Sequence, residues 1–404
     1  MTAAPSIVDD APFVIDVFTP DYSGRLDRFS NYNTAFFAKE WCGVGTGTIT
    51  VPATHPMAGA FLSCDDTVVP VRATSHGRIW TGRVGHTLRD GPMGNQVVTA
   101  TLVDEWPWFS SVLAWGDPLH PLNAQVTPTD DRTGPLETVV KGFIRDNMAR
   151  LATAILPFYV VPPPVVDSSP VVTLSARFTP IDDLVLDVVK ANNRSLLISM
   201  WMPGDPQPPG TTLTAPTLVV DIATTKDDAR VTWSDTFGGV TGLTVNVSAP
   251  HAYMGIAGGT FTGLARILTA YTDPALAQSL GRAGFPEYFL NDTSSTPELV
   301  LAKLVEDMAL HQTGQASIAV TVLDGAGGLK YGRDYHVGDI GGAAFSGVQS
   351  RDRITRVEES DDRTNGFSVT PIIGQSNIAA SSSIAVLRTV AKLRSSINAL
   401  NART

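Results

Sequence analysis

The chain has 404 residues, with 29 Lys and Arg against 39 Asp and Glu and a formal net charge of −10. Charged residues make up 17%, against about 25% in an ordinary soluble domain. An acidic chain in which no stretch clusters Lys and Arg excludes the basic field that phosphate recognition needs, so no specific nucleic-acid binding is expected.

Hydrophobic residues make up 43%, too many for a disordered chain, and the length allows about two to four domains. Mean hydropathy is +0.08, yet no apolar run approaches the about 18 residues of a membrane span. A globular chain poor in charge and without a span is expected to give much of its surface to other protein subunits. The N-terminal stretch MTAAPSIVDDAPFVIDVF has neither the basic n-region nor the long apolar h-region of a secretory signal. Cys42 and Cys64 are the two cysteines, which excludes a disulfide framework and a Cys-based zinc site. They read as buried free thiols, with a single Cys42–Cys64 bridge as the alternative.

In chain order, strands are expected at Phe13–Phe18, Thr48–Val51, Val68–Arg72, Arg78–Val84 and Val97–Val103. A short helix is expected from Ala35 to Trp41, with Thr34 as its N-cap. The Pro- and Gly-rich stretch Gly116–Pro135 closes this β region. Pro135 opens a helix whose Leu136, Val139, Val140, Phe143 and Ile144 share one stripe. Pro157–Val166 and Met202–Gly210 are short, ordered punctuation around a βαβ-like piece. Its parts are a strand at Val172–Phe178 and a helix opening at Thr179-Pro180. That helix carries Asp182 and Asp183 in its first turn and Ile181, Leu184, Val185 and Val188 inward.

Further strands alternate over Leu243–Val247, Ile318–Val322 and Phe367–Thr370. A third helix is expected from Thr296-Pro297-Glu298 through Met308. Asn365-Gly366 reads as the turn of a hairpin between Arg353–Glu358 and Phe367–Ile373. After Gly374, Val386, Val390, Leu393, Ile397 and Leu400 follow the 4-3-4-3 rhythm of a coiled-coil seam. Two heptads are too short to associate unaided. They suit either a bundle about a symmetry axis or a terminal helix packed on its own chain.

Four groups of residues invite a chemical reading. YGRDYHVGDI, Tyr331–Ile340, brings Asp334, His336 and Asp339 within six residues. A lone D-x-H-x-x-D is a weak metal signal. The structural reading makes Gly332 and Gly338 turn residues, packs Tyr335 and Val337, and pairs Arg333 with a carboxylate. Gly255–Gly263 resembles a phosphate-cradling loop but matches neither phosphate-binding spacing and lacks the lysine, so a tight turn is expected. Paired carboxylates (Asp65-Asp66, Asp130-Asp131, Asp182-Asp183, Asp227-Asp228, Glu358-Glu359) do not converge as a glycosidase needs, because neighbours in one strand point apart. The aromatic cluster Trp106, Trp108, Phe109 and Trp115 could stack on a sugar, but low charge favours packing of a loop or a subunit. No H-E-x-x-H and no G-x-S-x-G occurs. Neither a catalytic nor a cofactor nor a metal site is expected, and the protein is not expected to be an enzyme.

The stretch F29-S-N-Y-N-T-A-F-F-A-K-E-W41 followed by G47-T-I-T-V-P52, the strand at Asp65–Val71 and I-W-T-G-R-V at Ile79–Val84 resemble the minor tail proteins of long-tailed, non-contractile actinobacterial phages. G134-P-L-E-T-V-V-K-G-F-I144, S175-A-R-F178 and Y331-G-R-D-Y-H-V-G-D339 before I354-T-R-V357 follow in the family's order. The proline-rich insert Met202–Gly210 and the stretch Pro274–Asn291 depart from it. The resemblance implies a virion protein at the tail tip, made in the host cytoplasm and similar to the baseplate hub of contractile tails. It implies a mainly β fold with α+β insertions, in which two β-barrel hub domains alternate with small α/β domains before a C-terminal helix. The expected bounds are 1–133 for the first barrel, 134–210 for an α/β domain, 211–316 for mixed linking elements, 317–375 for the second barrel and 376–404 for the helix. A homotrimer would form a pseudo-sixfold ring around an axial channel for DNA, where an acidic wall repels the strand sliding past. Its partners would be the distal tail protein, the tape measure and other minor tail proteins.

Overall fold

The computed structural model describes residues 12–151, 157–247, 252–262, 265–272, 274, 278, 285–291, 304, 316–345, 348–362 and 366–374. It is mainly β. Described residues within 1–231, 323–341 and 353–371 form one compact unit, and those within 232–322, 342–352 and 372–404 form a second.

The first unit opens with β1 (Val14–Phe18), β2 (Arg25–Phe29), β3 (Thr34–Glu40) and β4 (Thr46–Pro52), then the short α1 (Ala58–Leu62). After these come β5 (Pro70–Ser75), β6 (Arg78–Asp90) and β7 (Val97–Asp104). Hydrogen bonding orders them β3-β4-β7-β6-β5-β1-β2. Alternation explains which face is inside: Ile49 and Val51 of β4, Val98, Ala100 and Leu102 of β7 and Val71 and Ala73 of β5 are all buried. Each large side chain among them adds about 1.5–3 kcal/mol by leaving water. β6 runs six residues past the expected Val84, through a register shift between Val84 and His86.

The helix expected at Ala35–Trp41 is instead strand β3 with the residue after it. Its backbone pairs β4 from Thr34 to Ala38 and a later strand from Thr34 to Glu40. Two full ladders outweigh a helix of under two turns, which carries the whole nucleation cost for few bonds. Thr34 caps no helix.

A second core of the same unit is layered with helices. It takes in α2 (Pro107–Ser111), β8 (Leu113–Ala114), β9 (Asp130–Pro135), α3 (Leu136–Ala149), β10 (Phe158–Val160), β11 (Val171–Ala176), β12 (Thr179–Pro180), α4 (Ile181–Ala191), β13 (Arg194–Trp201) and β14 (Thr217–Thr224). Leu136, Val139, Val140, Phe143, Ile144 and Met148 of α3 are buried against Ile181, Val185 and Val189 of α4 and the inner face of β13–β14. The first turn of α3 is capped from elsewhere in the chain: Leu136 N donates to Pro170 O, Glu137 N to Ser169 Oγ and Thr138 N to Asp167 Oδ2. The middle piece is not a βαβ unit of one sheet. β11 pairs β9, whereas β13 pairs β14, which also runs parallel to β10. The Met202–Gly210 insert is ordered by Asp205, which accepts from Met202 N and pairs with Arg72, while Trp201 Nε1 donates to Pro206 O.

The chain continues through β15 (Asp227–Ser234), β16 (Val240–Val247), β17 (Ala252–Thr262), β18 (Ala265–Thr272), β19 (Phe285–Asn291), β20 (Ala316–Val322), β21 (Ile340–Phe345), β22 (Val348–Asp362) and β23 (Gly366–Gly374). In the second unit β16 pairs β20, and β17 pairs β18 antiparallel and β19 in parallel. Gly255, Gly258 and Gly259 lie inside β17, with a register shift between Gly258 and Phe261. Over Gly255–Thr262 the expected tight turn is therefore a continuous strand with an irregular step, and Gly263 lies outside the described residues. β22 and β23 are neighbours, and Gly366, the first residue of β23, adopts φ +70°. Asn365, the helix at Thr296–Met308 apart from Leu304, and the seam from Val386 to Leu400 lie outside the described residues.

In the first unit the sheet rolls up on itself. β1 and β3 are five places apart in the pairing order, yet the Phe13 ring, just before β1, meets Phe37 of β3 at 5.0 Å and Phe367 of β23 at 5.6 Å. Trp80 Nε1 of β6 donates to Ala38 O of β3, and Tyr32 Oη donates to Asp361 of β22. Among the described residues these approaches are made by side chains, and the backbone order remains open at β2.

Candidate functional site

Up to Ile340, where β21 begins, YGRDYHVGDI is a loop. Gly332 (φ +81°) and Gly338 (φ +98°) make its two turns. Tyr335 is fully buried and donates from Oη to Asp324 Oδ1 at 2.5 Å; Tyr331 N donates to the same oxygen at 2.8 Å. Burial first, and then the Asp324 carboxylate, push the Tyr335 phenol well above its usual range. Arg333 pairs with Asp334 at 2.6 Å, and Lys330 N donates to the same carboxylate. Together these hold the partly exposed Asp334 carboxyl below its usual range, Arg333 being the larger cause.

Asp339 ties three segments. Its Oδ1 accepts from Lys226 N and its Oδ2 from His336 N, both at 2.8 Å. Its carbonyl accepts from Ile354 N, and Gly338 N donates to Ile354 O. Burial alone would raise this carboxyl, but the His336 and Lys226 hydrogen bonds outweigh it and hold it low. The His336 ring lies half exposed with Nδ1 3.6 Å from Asp339 Oδ2. Among the described residues no group of three or more His, Cys, Asp or Glu could hold a metal ion.

The loop leans on a pillar formed by Trp41. Arg353 lies 4.0 Å over the Trp41 ring and donates to Gly338 O and, at 2.5 Å, to Asn193 Oδ1. Trp41 Nε1 donates to Arg194 O at 3.1 Å, and Lys190 sits on the ring at 5.6 Å. Beside the pillar a cavity of about 200 Å³ lies between the end of β3, the start of β6, the end of β7 and β13. Trp41, Trp80 and Trp106 give it aromatic walls, and Asp104 supplies a carboxyl. Burial pushes the Asp104 carboxyl up to about 7, although Trp106 N and Gly45 N donate to it at 3.0 and 2.8 Å. Next to it Glu105, also raised by burial, accepts from Tyr22 Oη at 3.0 Å. Neither acid was visible in the sequence as more than one charge at a strand end; Gly45 and Tyr22, from elsewhere in the chain, enclose Asp104 and Glu105 respectively.

The remaining candidates are structural. Trp106 and Phe109 are buried in the helix-layered core with ring centroids 5.2 Å apart, and Trp115 lies under Arg150 at 4.0 Å. No open sugar platform is formed by Trp106 or Phe109. Among the paired acids, Asp130 pairs with Arg132, Glu359 with Arg78, Glu358 with Arg356 and Asp228 with Arg230. Each of these four acids is held in an ion pair. Cys42 and Cys64 are both free, and Cys42 is buried with its thiol donating toward Arg194 O.

The fold is that of a phage tail protein. It is similar to the 43 kDa tail protein of prophage MuSo2 from Shewanella oneidensis, at 11% identity over 89% of this chain and 98% of that one, with a TM-score of 0.50. The tail protein from Neisseria meningitidis MC58 gives 11% identity, 91% and 97% coverage and a TM-score of 0.49. No curated protein sequence matches the chain. Residues 14–375 match the model of the Siphovirus ReqiPepy6 Gp37-like protein family, and the chain belongs to that family. No helix among its described residues is long and apolar enough to cross a membrane.

Proposed function

We propose that the protein is a tail-tip hub of a long-tailed actinobacteriophage, a homotrimer whose subunits form a pseudo-sixfold ring around an axial DNA channel. The family match over residues 14–375 carries this reading. In it, the rolled sheet within 1–133 is the first hub barrel, residues 317–375 contribute the second, 134–210 and 211–316 lie between them, and 376–404 form the terminal helix. The ring contacts the distal tail protein, the tape measure and further minor tail proteins, and it is made in the host cytoplasm before assembly. A charged fraction of 17% suits a subunit whose surface is largely covered, and a net charge of −10 suits a channel wall to which DNA does not adhere.

In this reading the hub is a scaffold. Asp334 and Asp339 spend their acceptor capacity on Arg333 and on backbone N–H groups, so these two do not serve as an acid pair for glycan hydrolysis. An electron-microscopy map of the intact tip tests the proposal. Three copies on the tail axis are expected; a copy number that is not a multiple of three, or a position off the axis, overturns it.

A further inference from the structure

Strand β13 spends only one of its two edges on pairing. In β14, Leu218 N donates to Pro157 O and Val220 O accepts from Val161 N, so the even-numbered residues of β14 turn their backbone toward β10. In the antiparallel register Leu196 stands opposite Ile222, Ile198 opposite Val220 and Met200 opposite Leu218. The even-numbered residues of β13 therefore turn their N–H and C=O groups away from β14. Side chains take the first and last of these donors: Leu196 N bonds Cys42 Sγ at 3.4 Å, and Met200 N bonds Thr81 Oγ1 at 3.2 Å.

Ile198 lies between them, and it lines the aromatic-walled cavity together with Cys42 and Thr81. Its N–H and C=O face that space. Ser195 stands on the same wall, 4% exposed. Because Cys42 and Thr81 stopper the edge on both sides, an added peptide strand cannot pair there. Ile198 N–H is the one donor left between them, with Ile198 C=O as its adjacent acceptor, a span of a single amide. The cavity is also smaller than the roughly 300–1,000 Å³ of a drug-sized pocket, which restricts an occupant to about one ring.

We propose that this cavity is a binding site for a small planar carboxamide. The ligand's N–H sits on Ile198 C=O, its C=O on Ile198 N–H, and its flat face lies against the indoles. The site belongs to one subunit, so it stands or falls independently of the trimeric ring.

Benzamide titrated into the full chain, followed by tryptophan fluorescence and ligand-observed NMR, tests this. Acetophenone has nearly the same shape and lacks the N–H. Saturable benzamide binding with a Kd of about 1 mM or tighter is expected, with acetophenone about tenfold weaker. Leu197 lines the cavity and is 46% exposed; Leu197→Trp should block benzamide while leaving the melting curve in place. Equal binding of benzamide and acetophenone overturns the proposal, as does absence of saturation, which leaves the cavity to water. Unchanged benzamide binding by a folded Leu197→Trp variant overturns it as well.

Discussion

Arg353 stacks on Trp41 with its guanidinium carbon 4.0 Å from the ring centre, while its nitrogens donate to Gly338 O and Asn193 Oδ1. One side chain thereby fixes the closing turn of YGRDYHVGDI, the end of β3 and the turn after α4. Lysine would keep the charge but cannot stack flat and reach both acceptors with one ammonium. Arg353→Lys is expected to lower stability by about 2–3 kcal/mol, read from the urea midpoint at pH 7. An unchanged midpoint would show that the three segments are held by other contacts.

Gly338 and Gly366 both have positive φ, and only the first is crowded. A Cβ on Gly338 would lie 2.3 Å from Ser195 Oγ and 2.8 Å from Trp41 Cδ1, whereas one on Gly366 would meet nothing within 4 Å. Gly366→Ala therefore carries only the backbone cost of about 1–2 kcal/mol. Gly338→Ala should cost at least about 1–3 kcal/mol more, from overpacking. Ser195→Gly in the same chain should recover part of that difference, and thermal melts of the three variants give the comparison.

Asp104 makes stability depend on pH in the direction opposite to most carboxylates. Its carboxyl titrates at about 7 when folded and near 4 when unfolded. Folding thus takes up a proton between these values. The contribution of Asp104 to stability is fully present below about pH 4 and is lost as pH rises through 7. From pH 8 to pH 5 the protein should gain about 1–3 kcal/mol at this site. Asp104→Asn should flatten that window in chemical denaturation at the two pH values; a variant with the same slope as the parent would refute the assignment.

Asp339 behaves in the ordinary sense. Its carboxyl is held low in the folded chain, so its contribution is present above the unfolded Asp value and fades as acid protonates the folded carboxylate. Asp339→Asn should cost about 1–3 kcal/mol at pH 7 and progressively less below pH 4. Because its oxygens already serve Lys226 and His336, millimolar zinc or calcium should leave the melting temperature unchanged and the His336 ring resonances unshifted. A metal-dependent rise in melting temperature would restore the metal reading of the loop.

Periodicity and proline placement were enough to find α3, α4 and the strands β1, β4, β5, β6, β7 and β11, since there the buried stripe and the helix start are local properties. Phe36 and Phe37 misled because an aromatic run beside Trp41 fits a short amphipathic helix equally well, and partners more than 300 residues away make it a strand. The turn roles of Gly332 and Gly338 were legible from glycine alone. That Asp339 reaches Lys226 was not, since a sequence separation of 113 residues carries no local signal. The Asp104–Glu105 pair stayed hidden for the same reason: its burial depends on Tyr22 and Gly45 arriving from other loops.

The first unit is stitched from three stretches of chain, the last of them 353–371. During synthesis β3 waits beside β4 for β22, with one ladder of backbone groups unclaimed until some 320 residues later. Such late closure predicts a nascent chain that stays soft and protease-sensitive through most of translation and hardens abruptly near its end. A ribosome that stalls early would then release fragments that are degraded before they can compete with intact subunits for a place in the particle.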